Sequence, residues 1–230
     1  MGKEIHKILE NRNHEIAFII DTDNQSDLQN LKPENTDVAI EFSSPTSALA
    51  NILQCLDQGI KVISGTTGWL ESVNEVEEKT NTSGGAFFYA SNYSLGVNVF
   101  FHLNKYLASV MNDLSDYDVE LEEIHHTQKL DQPSGTAITL AEGVINRRSV
   151  ATKWINEKSS TSEELGIISK REPDVPGTHL ITYESGEDII EIKHTAKSRK
   201  GFALGAVKVA EWIQNKKGVL SMDDFLDIGH

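Results

Sequence analysis

The stretch DVAIEFSSPTSALANILQCLDQGIKVISGTTG, residues 37–68, decides the fold. Its apolar runs at residues 37–42 and 61–64 have the composition of buried parallel strands, and each ends in a loop of small residues. Between the runs, residues 47–57 predict a helix that Gly59 closes. The order of strand, small-residue loop and helix predicts an α/β fold with a doubly wound parallel sheet.

The same alternation extends to both sides of this stretch. Residues 15–21 predict another buried strand, which ends in Asp21, and residues 86–90 predict a further one. Ligands of such sheets bind beyond the carboxyl ends of the strands, where Asp21 and the turn at residues 65–68 fall. An acid nineteen positions after Gly2 suits the ribose hydroxyls of a dinucleotide. A strand that simply ends at the polar turn of residues 21–24 is an equally good interpretation of Asp21.

The pattern changes in the second part of the chain. Residues 116–124, 179–184 and 189–195 predict longer, antiparallel strands, the last two joined as a hairpin. We therefore expect an α+β domain at residues 93–204. The first domain takes residues 1–92, and residues 205–230 pack back on it.

A second stretch, EEIHHTQKLDQPSGTA at residues 122–137, carries the densest chemistry. Residues 117–123 alternate with the period of a half-buried strand, so His125 and His126 stand at a strand end. Pro133 stops regular structure, and Ser134 or Thr136 can cap the helix that follows. A turn of this kind at a helix start presents free N–H groups to an anion.

These residue types suit a carboxylated substrate. Lys129 is a fixed positive charge, the Ser134 and Thr136 hydroxyls are donors, and Gly135 allows close approach to the backbone. His125 or His126 can donate or relay a proton near neutral pH. The alternatives are an ordinary surface histidine pair and a plain turn with its N-cap. A metal site is not expected, because no cysteine lies near and no second histidine is spaced for the same strand face.

Composition excludes several classes of protein. The chain has 230 residues, 38% hydrophobic and 24% charged, as in ordinary globular proteins. Its net charge of −14 argues against nucleic acid or an anionic membrane as partner. No apolar run approaches the ~18 residues of a membrane span and no signal peptide is recognisable, so we expect a cytoplasmic protein. The single Cys55 excludes an internal disulfide and fits a reducing compartment.

Several motifs together resemble the dihydrodipicolinate reductase family. Residues 123–137 are similar to its signature E-x-H-H-x-x-K-x-D-x-P-S-G-T-A, and residues 65–68 to its G-T-T-G. Further similar segments lie at residues 41–45, 90–98 and 198–206, so the resemblance covers essentially the whole chain.

The resemblance implies hydride transfer from NADH or NADPH to a cyclic imine dicarboxylate in lysine and diaminopimelate biosynthesis. It implies a Rossmann-type nucleotide-binding domain and an α+β substrate domain that also forms a homotetramer. Lys129 and His126 would hold or polarise the substrate, with Lys129 the preferred proton donor and His125 assisting. Ser134, Gly135 and Thr136 would bind a carboxylate. The implied cofactor-binding residues are Gly2, Asp21, Gly65, Thr66, Thr67, Ala90, Ser91, Asn92, Tyr93 and Ser94.

One departure from the family pattern keeps other functions open. In the family a first strand and a G-x-x-G-x-M-G loop precede the opening helix, whereas this sequence starts at the equivalent of the closing Met-Gly, Met1-Gly2. On this ground a tetrameric scaffold that binds substrate but not the dinucleotide is one alternative. A separate, more distant alternative is another two-domain dehydrogenase that acts on an amino or sugar acid. Thr22 after Asp21, without an adjacent arginine, favours NADH over NADPH.

Overall fold

The computed structural model describes residues 1–149, 151–198 and 200–228. It divides into two compact units, Met1–Leu95 with Lys200–His230, and Gly96–Arg199. Arg199, part of the basic segment that resembles the family's late motif, lies outside the described residues. No helix in the described part of the chain is both long and apolar enough to cross a bilayer.

The described residues contain seven α-helices, nine strands and two 3-10 helices, the last at Thr22–Asn30 and Leu70–Ser72. In chain order they are α1 (Gly2–Asn11), β1 (Val38–Glu41), α2 (Pro45–Asp57), β2 (Lys61–Ser64), α3 (Val73–Ser83), β3 (Ala86–Tyr89), α4 (Leu95–Met111), β4 (Asp118–His125), α5 (Gly135–Ile145), β5 (Lys153–Ile155), β6 (Glu164–Arg171), β7 (Thr178–Glu184), β8 (Ile189–Thr195), α6 (Lys200–Ile213), β9 (Gly218–Leu220) and α7 (Met222–Leu226).

The first unit contains a parallel sheet in the order β1-β2-β3-β9. Adjacent side chains of a strand point to opposite faces, so Val62 and Ile63 enter two different cores. Ile63 packs with residues of α1 and α6, whereas Val62 packs with residues of α2 and α3. Helices on both faces explain why these strands are apolar throughout. The predicted α/β fold with a parallel sheet is confirmed.

The predicted strand at residues 15–21 is wrong. These residues pair with no strand of the described chain, and a pocket of about 840 Å³ lies between residues 15–20 and β1. A strand forms only where a neighbouring backbone completes its hydrogen bonds, and no described segment provides one for these residues. Asp21 instead caps the 3-10 helix: its Oδ1 accepts from Thr22 N at 2.8 Å, and its own N–H donates to Asn24 Oδ1 at 2.8 Å.

The second unit is built on a five-stranded sheet in the order β5-β6-β4-β7-β8. The sheet is mixed: β4 is antiparallel to β7 but parallel to β6. The sequence prediction of antiparallel strands alone was therefore incomplete, because it missed β5, in a polar region, and β6, which follows that region. Residues of α4 and α5 form a core with one face of this sheet, which includes Leu121, Ile167 and Ile181.

The boundary between the units differs by a few residues from the expected one. Residues 93–95 and 200–204 belong to the first unit rather than the second. The reason is packing, since Tyr93 and Ala203 are buried in the same core as Ile63. The strand β9 pairs with β3 and so returns the end of the chain to the first sheet.

Candidate active site

The end of β4 builds a buried polar cluster in the second unit. Glu123 and His125 are two residues apart and therefore lie on one face of the strand. His179 is the cross-strand partner of Glu123 on β7. Their exposed fractions are 0% for Glu123, 7% for His125 and 4% for His179. Three titratable side chains without access to bulk water must stabilise one another.

Glu123 is the centre of this cluster. Its carboxylate accepts hydrogen bonds from Ser134 N at 3.1 and 3.2 Å. His125 Nδ1 lies 3.3 Å from Oε2, and His179 Nε2 lies 3.7 Å from the same oxygen. Burial alone raises the pKa of Glu123, but the contacts with His125 and Ser134 outweigh burial and lower its pKa to about 2. Glu123 is thus a carboxylate at neutral pH.

His179 was missed by sequence reasoning. Burial, followed by the neighbouring His125, lowers the pKa of His179 to about 3. The two rings meet edge to face with centroids 5.1 Å apart, and His179 Nε2 lies 3.3 Å from Ser134 Oγ. The sequence carried no signal for this residue, because only the register of β7 against β4 brings it to Glu123.

Lys129 lies on the loop after β4. The Lys129 N–H donates to His126 O at 3.1 Å and so closes a turn. The half-buried His126 therefore lies at the start of that loop. Lys129 Nζ donates to both carboxylate oxygens of Asp131 at 2.7 Å. These hydrogen bonds lower the pKa of Asp131. The ammonium group is therefore held in one place by a neighbour on its own loop.

Arg171, at the end of β6, forms hydrogen bonds with the loop that carries Lys129. Nothing in the sequence indicated that this residue belongs to the site. It is the register partner of His125. Its guanidinium donates to Lys129 O at 3.4 Å and to Asp131 O at 2.7 Å, and Nη1 lies 3.6 Å from Glu123 Oε1. One side chain thus connects the loop of Lys129 to the buried cluster.

Ser134, one of the two caps that the sequence allowed, is the N-cap of α5. Its Oγ accepts from Ala137 N at 3.2 Å while its own N–H donates to Glu123. Ser134 is only 3% exposed, so both its groups are engaged inside the protein. In the described part of the chain the N–H groups of Gly135 and Thr136 have no protein acceptor, and a Cβ at Gly135 would meet nothing within 4 Å. The accessible anion-binding groups here are those of Gly135 and Thr136 rather than Ser134.

In the first unit, Glu41 accepts hydrogen bonds from both of the loops that follow β1 and β2. It is 8% exposed, and its carboxylate accepts from Ser43 N at 2.9 Å, Thr66 Oγ1 at 2.8 Å and Ser64 Oγ at 2.6 Å. The Ser43 hydroxyl also contacts it. The loops lie so close together that a Cβ at Gly65 would stand 2.2 Å from Phe42 Cε1. Gly65 is thus required by packing.

The expected cofactor residues occupy different environments in this unit. Thr67 and Ser91 are exposed, whereas Thr66, Ala90, Tyr93 and Ser94 are buried. Tyr93 donates from its hydroxyl to Ser64 O at 2.8 Å, and Asn92 Oδ1 accepts from Ser94 N at 2.9 Å. Burial raises the pKa of Tyr93 well above its usual range. Tyr93 therefore stays neutral and braces the end of β2.

Gly2 is the first residue of α1, and no side chain caps that helix. Gly2 and Ser43 both line the pocket of about 840 Å³ beside β1. Gly65–Thr67 and residues 90–94 are not among the described residues that line it. The uncapped start of a ten-residue helix favours a negatively charged group such as a phosphate.

Replacing Glu41 with alanine is expected to lower the free energy of unfolding by about 3 kcal/mol, because several buried donors lose their acceptor. Urea denaturation followed by circular dichroism measures the change. Glu34→Ala removes an exposed carboxylate from the same unit and should stay within about 0.5 kcal/mol of the unmodified protein. Equal stability of the two variants would show that the Glu41 network contributes nothing.

Comparison with known proteins now gives the family. The model described as dihydrodipicolinate reductase, N-terminus, matches residues 1–93, and the one described as dihydrodipicolinate reductase, C-terminus, matches residues 96–226. The chain belongs to the dihydrodipicolinate reductase family. The resemblance stated from the motifs is confirmed, and the protein is an oxidoreductase.

Similarity to individual proteins supports membership of the dihydrodipicolinate reductase family. The 4-hydroxy-tetrahydrodipicolinate reductase of Christiangramia forsetii is 50% identical over 226 residues, which cover 98% of this chain and 93% of the relative. The enzyme of the same name from Methanosarcina barkeri is 36% identical over 212 residues, covering 88% and 79%. Membership of the family implies a nicotinamide cofactor.

A solved structure of a dihydrodipicolinate reductase has the same fold. The dipicolinate-bound enzyme from Paenisporosarcina sp. TG-14 superposes with a TM-score of 0.75 at 22% identity, covering 98% of this chain and 94% of the other. The predicted combination of a Rossmann-type domain and a second domain is thus confirmed.

Proposed function

We propose that the chain reduces 4-hydroxy-tetrahydrodipicolinate to tetrahydrodipicolinate in lysine and diaminopimelate biosynthesis. The names of curated relatives that are 50% and 36% identical support this substrate. The observation that carries the proposal is the group at the end of β4, where Lys129 and the open N-terminus of α5 stand on one loop. A cation and free N–H groups suit a substrate with two carboxylates.

We assign the substrate-binding residues within the second unit as follows. The N–H groups of Gly135 and Thr136, with the Thr136 hydroxyl, bind one carboxylate. His126 contacts the ring of the substrate, and Ser134 supports the site by capping α5 and holding Glu123. The supporting evidence is the open approach at Gly135 and the engagement of both polar groups of Ser134 inside the protein.

Lys129 is the proposed proton donor. Reduction of a C=N bond needs a hydride at carbon and a proton at nitrogen, and the nicotinamide cofactor supplies the hydride when bound. The ammonium group of Lys129 is held by Asp131 and can give up one of its protons to the ring nitrogen. His125 is proposed to assist proton delivery indirectly, because it contacts Glu123 and is only 7% exposed.

The first unit is the proposed nucleotide-binding domain, and its residues fit a dinucleotide. Small-residue loops follow three parallel strands at one edge of the sheet, and the uncapped N-terminus of α1 favours phosphate. Thr67 and Ser91 offer exposed hydroxyls, and Gly65 and Thr66 shape the loop behind them. The exposed Asp21 carboxylate would accept from ribose hydroxyls and repel a 2′-phosphate, so we propose NADH over NADPH.

The protein is further proposed to be a cytoplasmic homotetramer assembled through the second unit. The outer strand β8 has exposed residues at alternate positions, including Ile189 at 57% exposure. An outer strand with an apolar exposed residue suits pairing with another copy. A buried free thiol at Cys55 suits a reducing compartment.

Two measurements test the proposed function. Titration with NADH and NADPH by fluorescence should give saturable binding, tighter for NADH. Turnover should be found with 4-hydroxy-tetrahydrodipicolinate and not with aspartate semialdehyde or a polyol. Saturable binding without turnover of that substrate would favour another two-domain dehydrogenase. Absence of saturable binding would favour the scaffold alternative and overturn the enzyme proposal for this chain.

A further inference from the structure

We propose that Glu123, His125 and His179 form a binding site for one transition-metal ion of the Zn²⁺ type, and that a bound ion inhibits the protein. Each residue offers one ligand atom, and these atoms lie within 4.8 Å of one another. Binding of the ion is independent of the proposed function, whereas inhibition rests on it.

The separations of the ligand atoms suit tetrahedral zinc. Zinc bonds of about 2.0–2.1 Å place neighbouring ligand atoms about 3.4 Å apart in a tetrahedron. Glu123 Oε2 is 3.3 Å from His125 Nδ1 and 3.7 Å from His179 Nε2. These two separations match a tetrahedral site to within a few tenths of an ångström, and the two histidine nitrogens lie within 4.8 Å of each other. Binding of one ion by all three atoms therefore requires the two imidazole rings to move closer together by up to about 1.4 Å.

The orientation of His125 is a second, independent observation. Its Nδ1 is buried and points towards Glu123, yet it makes no hydrogen bond of acceptable geometry in the described part of the chain. Its 3.3 Å contact with Glu123 is therefore electrostatic and leaves the hydrogen-bonding capacity of the buried ring nitrogen unused. A metal ion between the imidazole and the carboxylate would satisfy both groups.

Two neighbours of Glu123 affect metal binding in opposite directions: Ser134 favours it, and Arg171 weakly opposes it. Ser134 N donates to the carboxylate and fixes its direction, as outer partners of metal ligands usually do. Ser134 Oγ lies 3.3 Å from His179 Nε2, so a hydroxyl oxygen adjoins the three ligands. Arg171 Nη1 approaches Oε1 at 3.6 Å, and its positive charge repels a dication. We therefore expect moderate affinity and reversible binding.

The sequence predicted no metal site here, because His179 reaches Glu123 only through the pairing of β7 with β4. The spacing of Glu123 and His125 puts both on one strand face, and the register of β7 adds His179. Inhibition follows from geometry, since a bound ion occupies the nitrogen of His125 and the carboxylate that Arg171 links to the Lys129 loop.

Titration of the chelator-treated protein with Co²⁺ tests the site by visible absorption, and competition with Zn²⁺ gives the zinc affinity. We expect one ion per chain and the intense bands of four-coordinate Co²⁺. His179→Gln should weaken binding at least about 100-fold. The matched control is His194→Gln, since His194 is the cross-strand neighbour of His179 on β8 and should leave affinity unchanged.

Equal affinity of the unmodified protein and His179→Gln, or no stoichiometric binding, would overturn the proposal. If His179→Gln does not fold, X-ray absorption at the zinc edge of the unmodified complex decides. Two imidazoles with oxygen ligands support the site, and any other ligand set contradicts it. Zn²⁺ should also inhibit turnover of the unmodified protein and of His194→Gln equally, and a chelator should restore both.

Discussion

Lys129→Ala is expected to lower kcat/KM by a factor between about 10² and 10⁴, the usual contribution of a positioned proton donor. The change removes the ammonium group that Asp131 holds at 2.7 Å on the loop after β4. The side chain is 21% exposed and supports no core residue, so we expect the thermal midpoint to stay within a few degrees. Steady-state kinetics with the proposed substrate measure the effect.

Two control variants separate proton transfer from charge. Lys129→Arg keeps the positive charge but cannot lose its proton near neutral pH, so KM should recover more than kcat. Lys153→Ala removes a lysine that is paired with Glu164 at 2.8 Å elsewhere in the same unit, and its kinetics should not change. A Lys129→Ala variant as active as Lys153→Ala would refute the assignment of Lys129.

Gly205→Ala is expected to destabilise the protein by about 3 kcal/mol or more, the upper range for overpacking a core. A Cβ at Gly205 would stand 1.8 Å from the carbonyl oxygen of Tyr93, so the helix α6 would have to move away from that backbone. Helix propensity alone predicts the opposite, a gain of about 1 kcal/mol for alanine. The sign of the change in Tm therefore distinguishes packing from propensity.

Gly201→Ala in the same helix is the matched control. Nothing lies within 4 Å of a Cβ at Gly201, which is exposed in the first turn of α6. We expect this variant to be neutral or slightly more stable than the unmodified protein. If both glycine variants have the same Tm, the close approach of α6 to Tyr93 is not present in solution.

The first sheet shows which strands can be predicted from the sequence alone and which cannot. The strand at residues 61–64 was predicted with its observed bounds, because a buried parallel strand between two helices is apolar on both faces. Residues 15–21 have the same composition but form no strand, since pairing depends on a neighbouring backbone. Composition alone does not specify that neighbour.

The candidate site divides in a similar way. Local chemistry was readable, as in the N-cap at Ser134 and the placement of His125 at a strand end. His179 and Arg171 were not, because they join the site through the pairing of β7 and β6 with β4. Polar residues of those strands look like ordinary surface positions until the register is known.

The sequence by itself thus determined the family, the α/β character of the first unit and the loop that carries Lys129. These depend on residue types at short spacings, which local backbone geometry converts directly into strands, caps and turns. Tertiary structure alone decided that Glu123 is buried between two histidines and an arginine. The physical reason is that hydrogen bonds between strands, which join residues far apart in the chain, set which side chains share a desolvated space.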